Sequence, residues 1–354
     1  MPHLFEEYTI KDVTLRNRIG VSPMCQYSYE DGFSNDWQLA HLGSRAQGGV
    51  GLVIAEATAV EARGRITPDD VGIWSDAHIE PLARMTRFIK AMGAAAGIQI
   101  AHAGRKASAS RPWEGGSPLA QDDPRWWPVV GASPVPFADG YQTPEELSRE
   151  AIREVQAAFV AGAERALEAG FEWLEIHAAH GYLIHSFYSP LANLREDEYG
   201  GSFENRIRFL IETTRAVRKV WPERLPLTAR LSCSDWVEGG WTIEDSVALS
   251  ARLKEEGLDL IDCSSGGNAA KAVVPVGAGY QVPFSEAIRQ GAKIATAAVG
   301  MINAPAHADE IIRNGRADVV LLGRALLRDA YWPIHAAQDL KVPPPVPAQY
   351  LRAY

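Results

Sequence analysis

The chain has 354 residues, 46% of them hydrophobic and 22% charged, which is the profile of a globular protein whose core needs neither disulfides nor a structural metal. Its 35 basic and 44 acidic residues leave a formal net charge of −9, which repels polyphosphate backbones and anionic lipid surfaces and counts against nucleic-acid or membrane partners. Cys25, Cys233 and Cys263 are odd in number and scattered, so they build no disulfide framework; with no targeting pattern in Met1–Lys11 and no long apolar run, a cytoplasmic protein is expected.

Short aliphatic or β-branched runs alternate with segments of helical period. Strands are predicted near 19–23, 50–55, 97–101, 171–177, 225–231, 258–263, 293–299 and 317–322. Between the third and fourth, Thr143-Pro144-Glu145-Glu146 reads as a helix start with hydroxyl cap and first-turn proline. The helix after it carries Ile152, Val155, Phe159, Ala163 and Ala166 on one face and stops at Gly170. Further helices are predicted over 205–221 and 242–257. Such alternation over this length, without a linker and without a Gly-x-Gly-x-x-Gly turn after the first strand, predicts a (β/α)₈ TIM barrel in a single domain over 1–340 rather than an open doubly wound sheet. Two segments exceed the barrel. A proline-rich, tryptophan-bearing connection over about 104–142 has the length of a lid, and the proline-rich tail 341–354 is predicted to be extended, not helical, and to dock on a neighbour.

In this fold the reacting groups collect at strand C-terminal ends. Those ends hold Ser22, Met24, Cys25 and Tyr27; Glu56, Ala57 and Thr58; Gln99, His102 and Arg105; His177, His180 and Tyr182; Arg230; Ser264 to Gly267; Gly300; and Gly323-Arg324. Glycines and an arginine after the last two strands suit a phosphate cradle with a helix N-terminus behind it, although barrels need tight turns there in any case. His177 and His180, three apart, can act as paired donors or as ligands, or can be satisfied core residues. A zinc site would want a third ligand that the first strand does not offer, and no lysine stands at a strand end for Schiff-base chemistry.

Taken together, Ser22-Pro23-Met24-Cys25-Gln26-Tyr27, Gln99-Ile100-Ala101-His102-Ala103-Gly104-Arg105-Lys106, His177-Ala178-Ala179-His180-Gly181-Tyr182, Tyr199-Gly200-Gly201-Ser202 and Gly323-Arg324 resemble the old yellow enzyme family of flavin-dependent ene reductases, in its thermophilic-like branch with the xenobiotic reductases. The resemblance covers essentially the whole chain. It implies non-covalent FMN, NADPH or NADH as reductant, and hydride delivery to the β-carbon of an activated alkene, an α,β-unsaturated carbonyl or a nitro compound. By similarity Ser22, Pro23, Met24, Cys25, Ala57, Gln99, Arg230, Gly300, Gly323 and Arg324 contact the flavin. His177 and His180 hold the substrate oxygen, Tyr182 donates the proton and Tyr27 lines the pocket. No metal is implied. A homodimer or homotetramer is implied too, with Arg352 reaching into the neighbouring subunit. The rival readings are a metal-dependent TIM-barrel hydrolase using His177 and His180, and a non-catalytic flavin redox sensor switched at Cys25.

Overall fold

A computed structural model describes residues 3–354; Met1 and Pro2, part of the opening stretch read for targeting signals, lie outside the described residues. Eight parallel strands, Ile19–Val21, Leu52–Ala59, Ala95–Ala101, Trp173–Ala178, Leu227–Ser232, Leu260–Ser264, Ala295–Ala298 and Val319–Leu322, close into a barrel in sequence order. The eighth pairs with the first, Val320 opposite Ile19, so no strand edge remains and the (β/α)₈ expectation holds over the open sheet. Among the described residues no helix is long and apolar enough to cross a membrane.

Local chemistry sets where each element begins and ends. The first strand stops at Val21, short of the predicted Pro23, which has no amide to offer a ladder. The second runs four residues beyond its predicted end, because a bulge between Ala55 and Ala57 absorbs Glu56 and lets pairing resume. The helix Arg149–Glu168 buries Ile152, Val155, Phe159, Ala163 and Ala166 as its period predicts, each large side chain contributing roughly 1.5–3 kcal/mol. Its start differs from expectation. Ser148 caps it by accepting from the Ala151 amide, while Glu145–Glu146 pair with Val130–Gly131 as two short strands. Pairing with a distant segment outweighs the local capping pattern at Thr143. Helices Phe203–Val220 and Ile243–Glu255 fall within two residues of their predicted bounds, capped by Ser202 and Thr242.

The sequence reading missed an N-terminal hairpin, Tyr8–Ile10 against Val13–Leu15. It closes the floor of the barrel, where the Asp12 amide donates to Arg224 O at 2.9 Å and Arg18 Nη1 to Asp318 O at 3.0 Å. The tail also departs from expectation: Ala348–Ala353 form a 3₁₀ helix. Tyr350 meets Gln47 at the end of helix Asp36–Gln47 and lies 6.3 Å from the Tyr331 ring. Side-chain docking thus imposes a turn that proline content alone argues against.

Candidate active site

Four of the eight strands, the third to the sixth, deliver groups to one end of the barrel that the sequence alone could not bring into register. Arg230, from the fifth strand, is buried; its Nη1 donates to Ser22 Oγ at 3.1 Å and its Nε lies 3.1 Å from Asp262 Oδ2. Beneath it Gln99 donates to Glu175 Oε1 at 2.8 Å. Burial pushes the Glu175 and Asp262 carboxyls up, and the Arg230 guanidinium opposes the shift. The floor of the site is therefore polar and only partly hydrogen-bonded: Gln99 and Ser22 satisfy one atom each of Glu175 and Arg230, while Asp262 is held by its ion pair with Arg230.

Beside Arg230 opens a cavity of about 330 Å³ whose wall includes His180, Ser264, Gln281, Gly300, Gly323 and Arg324. Arg230, Arg324 and Arg328 contribute three guanidinium groups to it and no carboxylate faces it. In a chain with net charge −9, that local excess of cations marks an anion site. Gly300 adopts φ +122° and a Cβ there would come within 2.9 Å of Gln281 Nε2, so only glycine leaves the space open. The helix expected to add its dipole, Arg324–Arg328, is only five residues long, so the arginines and not a helix field supply most of the positive potential. Arg328 was missed by the sequence reading; its spacing of four from Arg324 is the signal that places both on one face.

The turn after the fourth strand carries the histidines. The Ala179 amide donates to His177 Nδ1 at 3.2 Å, which leaves the ring proton on Nε2. His180 Nε2 lies 2.7 Å from Ser264 Oγ. The two rings stand 5.1 Å apart, and the Tyr182 ring lies 5.0 Å from His177 and 6.5 Å from His180. Burial, reinforced by Arg230, pushes both imidazoles well below the ordinary histidine range, so both are uncharged near neutral pH. Burial pushes the Tyr182 phenol well up, so it keeps its proton.

Across the mouth lie the residues that follow the first strand. Gly323 approaches Met24, where an added Cβ would sit 3.4 Å from its Sδ. Tyr27 has φ +48° and its ring is 6.0 Å from Trp113 of the 104–142 segment. Ala57 and Tyr182 line one narrow recess with Asp70. Burial, with Asp70 and Glu56 adding to it, pushes the Cys25 thiol well above its ordinary value, so it is no ready thiolate. Other strand-end candidates are structural. His102 Nε2 pairs with Glu61 at 3.2 Å, and Arg105 donates to Val135 O and Asn268 O, tying the 104–142 segment to the loop after the sixth strand. Thr58 donates back to Glu56 O. Arg352 is exposed on the tail, which packs near the start of the second strand and so at the end of the barrel opposite this mouth.

Residues 3–342 match the model of the NADH:flavin oxidoreductase / NADH oxidase family. The chain belongs to that family. The NADPH dehydrogenase of Geobacillus sp. (strain WCH70) is 49% identical over 353 residues, spanning 99% of this chain and 98% of the relative. Among solved structures, morphinone reductase is similar with a TM-score of 0.79 at 25% identity, over 97% of this chain and 91% of that one. A 2-naphthoyl-CoA reductase complex superposes with a TM-score of 0.84 at 26% identity, over 95% of this chain and 52% of that one. The family member described here is thus an FMN-dependent oxidoreductase of the old yellow enzyme kind that draws electrons from NAD(P)H. The acid-free, arginine-lined cavity fits the phosphate of that cofactor. Membership in this family sets aside the hydrolase reading of the histidine pair.

Proposed function

We propose that the protein is an ene reductase acting on activated alkenes, α,β-unsaturated carbonyls and nitro compounds among them. One observation carries this reading: two uncharged imidazoles and a protonated phenol converge within 6.5 Å of one another beside the flavin cavity. Ser22, Pro23, Met24, Cys25, Ala57, Gln99 and Arg230 would hold the flavin ring, and Gly300, Gly323, Arg324 and Arg328 its phosphate. Held there, FMN would supply the hydride chemistry that links NAD(P)H to the β-carbon of the alkene.

The chain's own groups do the rest. His177 Nε2–H is free of partners among the described residues and can donate to the substrate oxygen as it gains negative charge. His180 donates through Nδ1 when the Ser264 hydroxyl donates to its Nε2. Each such donor, fixed in place before reaction, contributes about 2.7 to 4 kcal/mol to transition-state stabilisation. Being neutral, the imidazoles polarise the oxygen without surrendering a proton to it. The proton comes instead from Tyr182 Oη to the α-carbon, so that hydride and proton together saturate the double bond. A redox sensor is the weaker reading, since it needs a low-pKa cysteine and burial moves Cys25 the other way. The test is Tyr182→Phe with 2-cyclohexenone as substrate. NADPH should still bleach the flavin at the parental rate while saturation of the enone falls by about 10-fold or more. Undiminished enone turnover would remove Tyr182 as the acid, and no turnover by the parent would remove the reading itself.

A further inference from the structure

Behind the turn that carries the histidines lies a second polar pair with no part in the chemistry described above. His180 and Gly181 are consecutive left-handed residues, at φ +61° and +74°. For a histidine that conformation is strained and persists only where its surroundings hold it. Packing supplies one constraint: a Cβ on Gly181 would lie 2.1 Å from Gly267 O, so the loops after the fourth and sixth strands are interlocked. Hydrogen bonds supply the others. The His180 amide donates to Ser232 Oγ at 2.9 Å, the Leu183 amide to His102 O at 3.0 Å, and the Gly181 amide to His185 Nδ1 at 2.8 Å. Only the last of these acceptors depends on where a ring proton sits.

His185 and Asp235 are both 0% exposed, with His185 Nε2 3.0 Å from Asp235 Oδ1. The other carboxylate oxygen accepts from Ser189 Oγ at 2.6 Å and from the Trp241 amide at 2.9 Å. The ring itself is stacked on Tyr188 at 4.6 Å. The Gly181 amide occupies the Nδ1 lone pair, so the ring carries its proton on Nε2, where it faces the Asp235 carboxylate at ion-pair distance. We propose that His185 and Asp235 are positioning residues: Asp235 holds the His185 proton on Nε2, so that Nδ1 accepts the Gly181 amide and the turn presents His180 and Tyr182 to one substrate. This rests on the reading of His180 and Tyr182 given above.

The consequence is sharpest for Asp235→Asn, which keeps size and shape. The Trp241 amide and Ser189 hydroxyl still need an acceptor, so the new side chain turns its oxygen to them and its NH₂ to His185. That forces Nε2 to accept and puts the proton on Nδ1, against the Gly181 N–H. In FMN-loaded, ¹⁵N-histidine-labelled protein, one histidine should change tautomer. Enone kcat/KM should fall about 10- to 100-fold, and the Kd of phenol, used as a probe of the donor pair, should rise with it. Parental kinetics and phenol affinity despite the tautomer change would overturn the proposal, and so would the kinetic loss with the tautomer unchanged. His185→Asn and His185→Gln give an independent decision should Asp235→Asn not accumulate with flavin. Asn places an acceptor near the Nδ1 position and should stay closer to the parent, whereas Gln extends past it and should behave like Asp235→Asn; equal behaviour of the two overturns the proposal. The tautomer and phenol readouts do not depend on alkene turnover, so failure of the ene-reductase reading would be seen separately, as absence of turnover in the parent.

Discussion

The two ends of the barrel use charge in opposite ways. At the floor, Arg218 lies 3.2 Å from Asp259 and donates to Trp221 O, Pro222 O and Leu225 O. Lys11 lies 3.3 Å from Asp259, and Arg289 pairs with Asp318, which also accepts the Thr296 amide. Nearly every floor charge has its counter-charge or carbonyl within reach. At the mouth, Arg230, Arg324 and Arg328 face a cavity without a carboxylate, and two histidines are kept neutral by burial. Paired charges at one end hold the chain together, while at the other Arg230 pairs with Asp262 but Arg324 and Arg328 have no carboxylate partner among the described residues and are available to a ligand. The division is the one expected when strand C-terminal ends carry chemistry and N-terminal ends carry stability.

Four experiments test this contrast, the largest effect first. His177→Ala removes a mouth donor and should lower enone kcat/KM by about 10²- to 10³-fold, weaken phenol binding and leave thermal stability nearly unchanged. A large drop in Tm would mean that the mouth is also a structural element. Arg218→Ala strips the floor of a mostly buried cation and leaves Asp259 and three carbonyls short of a partner. Denaturant titration should show a loss of about 3 kcal/mol with kcat and KM of the folded enzyme as in the parent.

A third experiment uses Glu56, whose carboxyl burial pushes up to about 8 against hydrogen bonds from Tyr29 and the Gln26 amide. Its pKa in the unfolded chain is about 4.3, so between those values the folded state holds a proton that the unfolded state has lost. Its contribution to stability is therefore full below pH 4 and is lost as pH rises toward 8. Glu56→Gln has no such proton to lose, so its stability relative to the parent should improve steadily from pH 5 to pH 8, and pH-independent relative stability would show that Glu56 is ionised in the fold. The smallest effect concerns the tail. If Arg352 completes the mouth of another copy, as proposed on the family resemblance, removal of residues 347–354 should raise substrate KM several-fold and weaken subunit association together, with flavin content unchanged. An unaltered KM and an unaltered sedimentation profile would take Arg352 out of the site.

Much of the fold could be read from residue order because each barrel strand is a local aliphatic run and each major helix a local period. Phe159 and its neighbours meet the core wherever the chain goes next. What failed were features decided by distant partners. Glu145–Glu146 carry a helix-start pattern yet pair with Val130–Gly131. The hairpin at Tyr8–Leu15 exists because the barrel floor needs covering, and its two three-residue strands are too short to show a period. The tail turns into a 3₁₀ helix where Tyr350 finds Gln47.

The same line divides the site. By itself the sequence determined which side chains stand at strand ends, hence His177, His180, Tyr182, Arg230 and Gly323-Arg324, since strand periodicity and motif spacing are properties of neighbouring residues. Only the tertiary structure decided the rest. It alone joins Ser264 to His180, Asp235 to His185, and Arg328 to Arg230 around one cavity. It also sets the protonation of the imidazoles, because burial and the field of Arg230 arise from strands that meet only when the barrel closes.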